Sequence, residues 1–241
     1  MADFSTAWKI SAKNESGYAN VKGDAGGMTY RGISRVYNPQ WAGWSLIDMF
    51  ISLSGEPKNG FTNDQWDILA NQFYKTNYWD KLKLDDVQNQ DNANQIYDHS
   101  LSGLGRTVSM VKEVLNQKFS QSLGTTTTMD DATVNALNSV SASDFFNEFK
   151  KAREDFFKYS ANTLSSSDST YFNLFKRFNS SPNSSNEQFL NGWLNRVNSY
   201  VYTGIDDVKS LVKNNPIKTG GIILGISIIS FLIYKYYTNN G

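Results

Sequence analysis

The chain has 241 residues, 39% of them hydrophobic, enough for a packed core and too many for a disordered chain. Lys plus Arg and Asp plus Glu both total 23, so no long-range positive field exists to gather nucleic acid, and a nucleic-acid partner is not expected. With no cysteine and a single histidine, His99, the sequence excludes disulfide scaffolds, thiol nucleophiles and Cys/His zinc sites. Chemistry must therefore rest on carboxylates, hydroxyls, amides and aromatics, with no metal or cofactor.

At the N-terminus no apolar run of secretory-signal length is found, and Lys9 and Lys13 follow the apolar residues rather than precede them, so no signal peptide is expected. Phe4, Ala7, Trp8 and Ser11 predict a helix ending near Glu15, with Gly17 turning the chain sharply. Gly23, Gly26 and Gly27 permit tight positive-φ turns around Asp24, and residues 29–34 read as a short extended segment returning beside it.

Further along, Thr62 and Gln65 read as a capping box opening a helix with Trp66, Leu69, Ala70 and Phe73 on one face. Val108, Val111 and Leu115 mark another helix. Phe145, Phe146, Phe149, Ala152, Phe156 and Tyr159 mark a third, and Phe189, Trp193, Val197 and Tyr200 a fourth. Asp130 and Asp131 resemble a helix cap, and residues 124–128 suit a surface turn. Lys150, Lys151 and Arg153 share a helix with Glu148, Glu154 and Asp155, which predicts an ordinary solvated face. Residues 161–186 are rich in Ser and Asn around an apolar island at 171–178, an insertion holding one short helix.

The C-terminal end differs. No charge appears in residues 219–234, which hold Ile222, Ile223, Leu224, Ile226, Ile228, Ile229, Phe231, Leu232 and Ile233. About 1.5 Å per residue gives roughly 24 Å against a hydrocarbon core of roughly 30 Å, and Lys218 and Lys235 can snorkel to cover the deficit. A membrane helix over 219–237 is expected, with Tyr234, Tyr236 and Tyr237 at the interface, and Gly221 with Gly225 offers a face for a homodimer. Lys209, Lys213 and Lys218 precede this segment and Lys235 alone follows it, which places the preceding domain on the cytoplasmic side.

The most informative stretch is Glu15-Ser16-Gly17-Tyr18, then Asn20, then Asp24-Ala25-Gly26-Gly27-Met28-Thr29-Tyr30-Arg31-Gly32-Ile33. Glycosidic hydrolysis needs an acid to protonate the leaving oxygen and a second polar group to hold a water or stabilise positive charge. The stretch resembles the Glu-Gly-Gly-Tyr and Asp-Pro-Gly-Gly-x-Thr-x-x-Gly-Ile signature of the phage and bacterial N-acetylmuramidases of glycoside hydrolase family 108, relatives of the lysozyme superfamily. Phe73-Tyr74, Tyr78-Trp79, Leu84-Asp85, Asp98 with the Gly103 and Gly105 turn, Arg153 and Phe189-x-x-Gly192-Trp193-Leu194-x-Arg196-Val197 continue the likeness. Ser16 and Ala25 stand where the family carries Gly and Pro, and Leu101 and Ser102 where it carries an Asn.

The resemblance implies a mostly α, lysozyme-like fold with a small β-hairpin near the active site, to which hydropathy adds the membrane helix. Residues 1–85 would form the catalytic region, 86–205 a helical peptidoglycan-binding-like region, 206–218 a linker and 219–237 the anchor. By similarity Glu15 is the general acid, Asp24 positions or activates the water and Thr29 helps hold it; Tyr18, Tyr30 and Asp98 contact substrate. Burial against aromatic groups such as Trp41 and Trp44 would keep Glu15 protonated near neutral pH.

The expected activity is cleavage of the β-1,4 bond between N-acetylmuramic acid and N-acetylglucosamine of bacterial peptidoglycan. A membrane-held catalytic domain without a signal peptide fits a phage protein of the virion or of host lysis. A lytic transglycosylase and a non-catalytic peptidoglycan-binding or virion structural protein are the alternatives.

Overall fold

The computed structural model describes residues 1–12, 16–21, 26–178, 181–207 and 209. Met1–Tyr200 form one compact unit and Val201–Gly241 a second. In the second, the described residues show Lys209 paired with Asp206 at 3.1 Å. Among the described residues no helix is long and apolar enough to cross a membrane. The expected anchor at 219–237 lies outside them.

Helix α1 (Phe4–Ser11) starts at Asp3, whose side chain accepts from the Thr6 N–H at 2.9 Å, and buries Phe4, Ala7 and Ser11. Three two-residue strands follow, β1 (Tyr18–Ala19), β2 (Thr29–Tyr30) and β3 (Ile33–Ser34), antiparallel in the order β1-β2-β3. The next helices are α2 (Gly43–Ser54) and α3 (Asp64–Tyr74). The cap of α3 is Asn63 rather than Thr62: its Oδ1 accepts from the N–H groups of Gln65 and Trp66 at 3.0 and 3.3 Å. A π turn (Lys75–Trp79) and two 3₁₀ turns (Asp80–Leu82 and Leu84–Asp86) then carry the chain into α4 (Gln90–Ser100).

Helices α5 (Leu104–Phe119), α6 (Asp131–Ser139), α7 (Ala142–Ser160), α8 (Phe172–Phe178) and α9 (Glu187–Asn198) complete the unit. Asp130 caps α6 through the Thr133 N–H at 2.9 Å, and the short helix of the Ser/Asn-rich insertion is α8, both as the sequence suggests. Residues 124–128 are exposed. On α9 the expected apolar face is only partly covered: Val197 is buried while Phe189 is 53% exposed.

No seam falls at residues 85–86. Helix α4 lies against α1, α5 and α7, and α7 in turn packs on α5, α8 and α9, so the segment before 86 and the helices after it share one core. The backbone N–H of Asp3 donates to Gln90 Oε1 at 2.6 Å, tying the first turn of α1 to the first turn of α4. Residues 92–100 of α4 are all buried although most are polar. Two of their side-chain amides donate to the neighbouring helix: Asn92 Nδ2 to the Ala142 carbonyl and Gln95 Nε2 to that of Phe146, each at 3.0 Å.

Arg153 departs from the solvated face expected for it. It is buried on the α4 side of α7 and pairs with Asp98. The flanking Lys151 stays at the surface, bonded at 2.8 Å to Asp155, which is itself buried rather than solvated.

Candidate active site

The small sheet sorts the predicted residues onto two faces. Tyr18, Tyr30 and Ile33 are cross-strand neighbours and all buried, whereas Ala19, Thr29 and Ser34 occupy the other row. Tyr30 stacks on Trp41 with ring centroids 6.0 Å apart and meets Trp66 edge-on at 5.3 Å. Its hydroxyl donates to Asp67 at 2.6 Å and accepts from the Asn63 N–H at 3.1 Å. Burial, then the bond to Asp67, pushes the Tyr30 hydroxyl pKa up to about 12. Tyr18 is likewise buried, its hydroxyl donating to Glu56 at 2.8 Å, and burial first and Glu56 second push its pKa up to about 12. Both expected contact residues, Tyr18 and Tyr30, thus lie buried on the core side of the sheet.

Gly17 is required for a reason other than a turn. A β-carbon there would stand 2.1 Å from the Phe61 carbonyl oxygen, because residues 60–61 run against β1: Tyr18 N–H donates to Phe61 O at 2.8 Å and Gly60 N–H to Tyr18 O at 2.7 Å. Gly27, with φ of +60°, does supply the left-handed turn expected in this loop.

Glu15 and Asp24 lie outside the described residues. The segments flanking Asp24 are held at both stems. On the β1 side, Asn20 Nδ2 donates to Glu56 at 2.5 Å and Asn20 N–H to Asn59 at 3.0 Å. On the β2 side, Ser34 Oγ donates to the Gly26 carbonyl at 2.6 Å and Arg35 N–H to that of Met28 at 2.9 Å. Arg35 is itself held by both oxygens of Asp48, at 2.6 and 2.8 Å. The bonds from Asn20 and then Tyr18 hold the Glu56 carboxyl below the usual range. Thr29, half-buried, sits at the root of this loop with its hydroxyl 3.5 Å from the Ala19 carbonyl.

A groove runs beside the sheet. Two adjoining hollows of about 530 and 380 Å³ share Asn38, Phe73 and Asn77. One is completed by Tyr37, Gln40, Trp41 and Gln72, the other by Tyr78, Lys81 and the Ser100, Leu101, Ser102, Gly103 and Leu104 turn that leads out of α4. Asn38 is fixed where the chain leaves β3, its N–H donating to the Ser34 carbonyl at 2.8 Å and its own carbonyl accepting from Trp44 Nε1 at 2.8 Å. The π turn places Thr76, Asn77 and Tyr78 along this wall, a use to which such turns are often put. A ladder of rings, Trp8 to Tyr74 (5.3 Å), Tyr74 to Tyr78 (5.6 Å) and Tyr78 to Phe73 (6.4 Å), connects α1 to the groove. Amides that bond hydroxyl and acetamido groups, beside aromatic faces that cover sugar C–H groups, equip it for a glycan.

Asp98 does not line this groove. It is buried, with Arg153 on one carboxylate oxygen and Arg196 on the other at 2.8 Å, two residues before the groove-lining turn begins. The residue expected to contact substrate is thus held in an ion-pair cluster behind that turn. Trp41 and Trp44 are buried against each other, 4.9 Å between centroids, rather than standing as free walls. His99 is buried with Nε2 3.0 Å from Met110 Sδ, in no position to serve a nucleophile. Among the described residues no three His, Cys, Asp or Glu side chains gather to hold a metal.

Sequence reasoning misses Glu56, Asn38, Asn77 and Lys81. Asn77 and Lys81 lie in the π and 3₁₀ turns, where a helical period no longer applies, and Glu56 and Asn38 lie in loops without a motif.

Residues 9–102 match the family model for glycosyl hydrolase 108, and on that match the chain is a glycoside hydrolase. No curated protein matches the chain. Among solved structures, one described as "Structure of Brucella abortus SagA" is similar to this chain at 19% identity, covering 82% of this chain and 94% of its own, with a TM-score of 0.46.

Proposed function

We propose that this glycoside hydrolase is an N-acetylmuramidase that cleaves the β-1,4 bond between N-acetylmuramic acid and N-acetylglucosamine in bacterial peptidoglycan. The observation that carries this reading is the glycosyl hydrolase 108 match over residues 9–102, the segment that holds both the loop between β1 and β2 and most of the groove. Glu15 donates its proton to the bridging oxygen as the bond to the anomeric carbon breaks, Asp24 orients and deprotonates the incoming water, and the Thr29 hydroxyl helps hold that water. The amide and aromatic wall binds the strand. Residues 219–237 anchor the enzyme to a membrane, with the Gly221 and Gly225 face available for pairing, and the protein serves a phage in virion passage or host lysis.

The test is product mass spectrometry after full-length chain in detergent meets isolated sacculi. Fragments ending in reducing N-acetylmuramic acid are expected. Ends of the 1,6-anhydro type would make the enzyme a lytic transglycosylase, and reducing N-acetylglucosamine ends would assign the other glycosidic bond. The anchor is tested separately: alkaline carbonate washing is expected to leave the chain in the membrane fraction, and release into the wash would overturn it.

A further inference from the structure

The groove wall is neutral except at one point. Among the described residues that line the two hollows, Lys81 alone carries a charged side chain. Its neighbours in sequence are already neutralised: Lys75 pairs with Asp80 at 2.5 Å and Asp85 at 3.3 Å, and Lys83 pairs with Asp131. Lys81 has no ion-pair partner among the described residues. Its backbone is firmly placed, because the next residue, Leu82, is fully buried and the turn Asp80–Leu82 follows directly on the buried Trp79. The ammonium itself stays exposed at the groove edge, on the side formed with Tyr78 and the turn after α4.

A single hydrated cation in an otherwise uncharged glycan groove is a discriminator. It adds nothing toward a neutral polymer of N-acetylhexosamines and favours one that carries an anion at the matching repeat. Wall glycan differs from neutral β-1,4 glycans in that every second sugar bears a lactyl ether, which ends either in a free carboxylate or in a peptide with carboxylates of its own. Resting on the muramidase reading of this groove, we propose that Lys81 binds a carboxylate of the muramoyl substituent and thereby selects acid-bearing strands.

The test compares wild type, Lys81→Met and Lys81→Arg, each as the full-length chain in detergent, by the tryptophan-fluorescence Kd for soluble glycan strands of three kinds. The strands carry their peptides, or have them removed to leave free lactyl carboxylates, or have those carboxylates methyl-esterified. Lys81→Met is expected to weaken binding about 3- to 10-fold on strands with the relevant carboxylate, as for an exposed to half-desolvated ion pair, and to leave the esterified strands unaffected. Lys81→Arg is expected to restore the affinity. Weakening on the stripped strands identifies the lactyl carboxylate as the partner, and weakening confined to the peptide-bearing strands identifies the peptide. Equal Kd values for wild type and Lys81→Met on both charged strands, or an equal loss on the esterified strands, would overturn the proposal. Reducing-end release by the wild type is followed in parallel, so that a chain that binds strands without cutting them removes the muramidase reading while the Kd comparison still decides the role of Lys81.

Discussion

Asp98 on α4 and Arg153 on α7 form an ion pair in which the two side chains are only 2% and 1% exposed, and Arg196 on α9 reaches the second carboxylate oxygen at 2.8 Å. Three helices distant in sequence are thus joined behind the turn that walls one end of the groove. A buried pair adds little over an apolar replacement, but removing one partner strands the other charge. Asp98→Ala is therefore expected to cost about 3 to 5 kcal/mol in urea unfolding. At a temperature where the variant is still folded, its affinity for glycan strands is expected to stay close to wild type. A large loss of affinity with unchanged stability would restore Asp98 as a direct substrate contact.

His99 predicts a pH dependence. Burial first, then the nearby Arg153 and Arg106 cations, hold its pKa well below the usual 6.5. In the unfolded chain the ring takes up a proton near pH 6.5, whereas in the folded chain it does not. The unfolded state binds more protons below that point, so stability is complete above about pH 6.5 and falls by up to about 1.4 kcal/mol per pH unit as the solution is acidified. Urea midpoints measured between pH 7.5 and 5.5 should show this decline in wild type and not in His99→Leu. An equal decline in both would assign the effect to other groups.

Glu56 links the start of the Asp24 loop to the sheet by accepting from both Tyr18 and Asn20. It is exposed, so its removal is expected to leave the melting temperature nearly unchanged while loosening the loop. Glu56→Ala is expected to lower kcat several-fold with little change in KM. Glu56→Gln keeps an acceptor oxygen and is expected to recover most of the rate. Parallel loss in both variants would mean that the charge, not the bonds, matters.

Much of this architecture is legible in the residues. The aromatic stripe from Phe145 to Tyr159 becomes α7, and Asp130 caps α6, because a stripe at helical spacing and a capping carboxylate each have one dominant structural use. Helix α4 escapes notice because Asn92, Gln95 and Asp98 look like surface residues; their burial depends on partners 50 or more positions away, which no local pattern reveals. Helix α2 begins at Gly43 without a side-chain cap, so it announces itself poorly. Tyr18 and Tyr30 belong to the motif-bearing stretch, yet both are buried, because strand alternation, which no motif records, turns them to the core side of the sheet.

The π turn gives a further test. Asn77 lies where both hollows meet, with Nδ2 bonded to the Phe73 carbonyl at 2.9 Å. Asn77→Ala is expected to weaken strand binding about fivefold, the worth of roughly one neutral hydrogen bond of 1 kcal/mol. An unchanged Kd by calorimetry would move the binding surface away from this groove.

In the proposed mechanism Glu15 supplies the proton that releases the leaving sugar. The most direct measurement is the initial rate of reducing-end formation from isolated sacculi by full-length wild type and Glu15→Gln at equal concentration and matched melting temperature. A fall of about 10²- to 10⁴-fold is expected for the variant, the usual contribution of a general acid. A variant that retains the wild-type rate would contradict it.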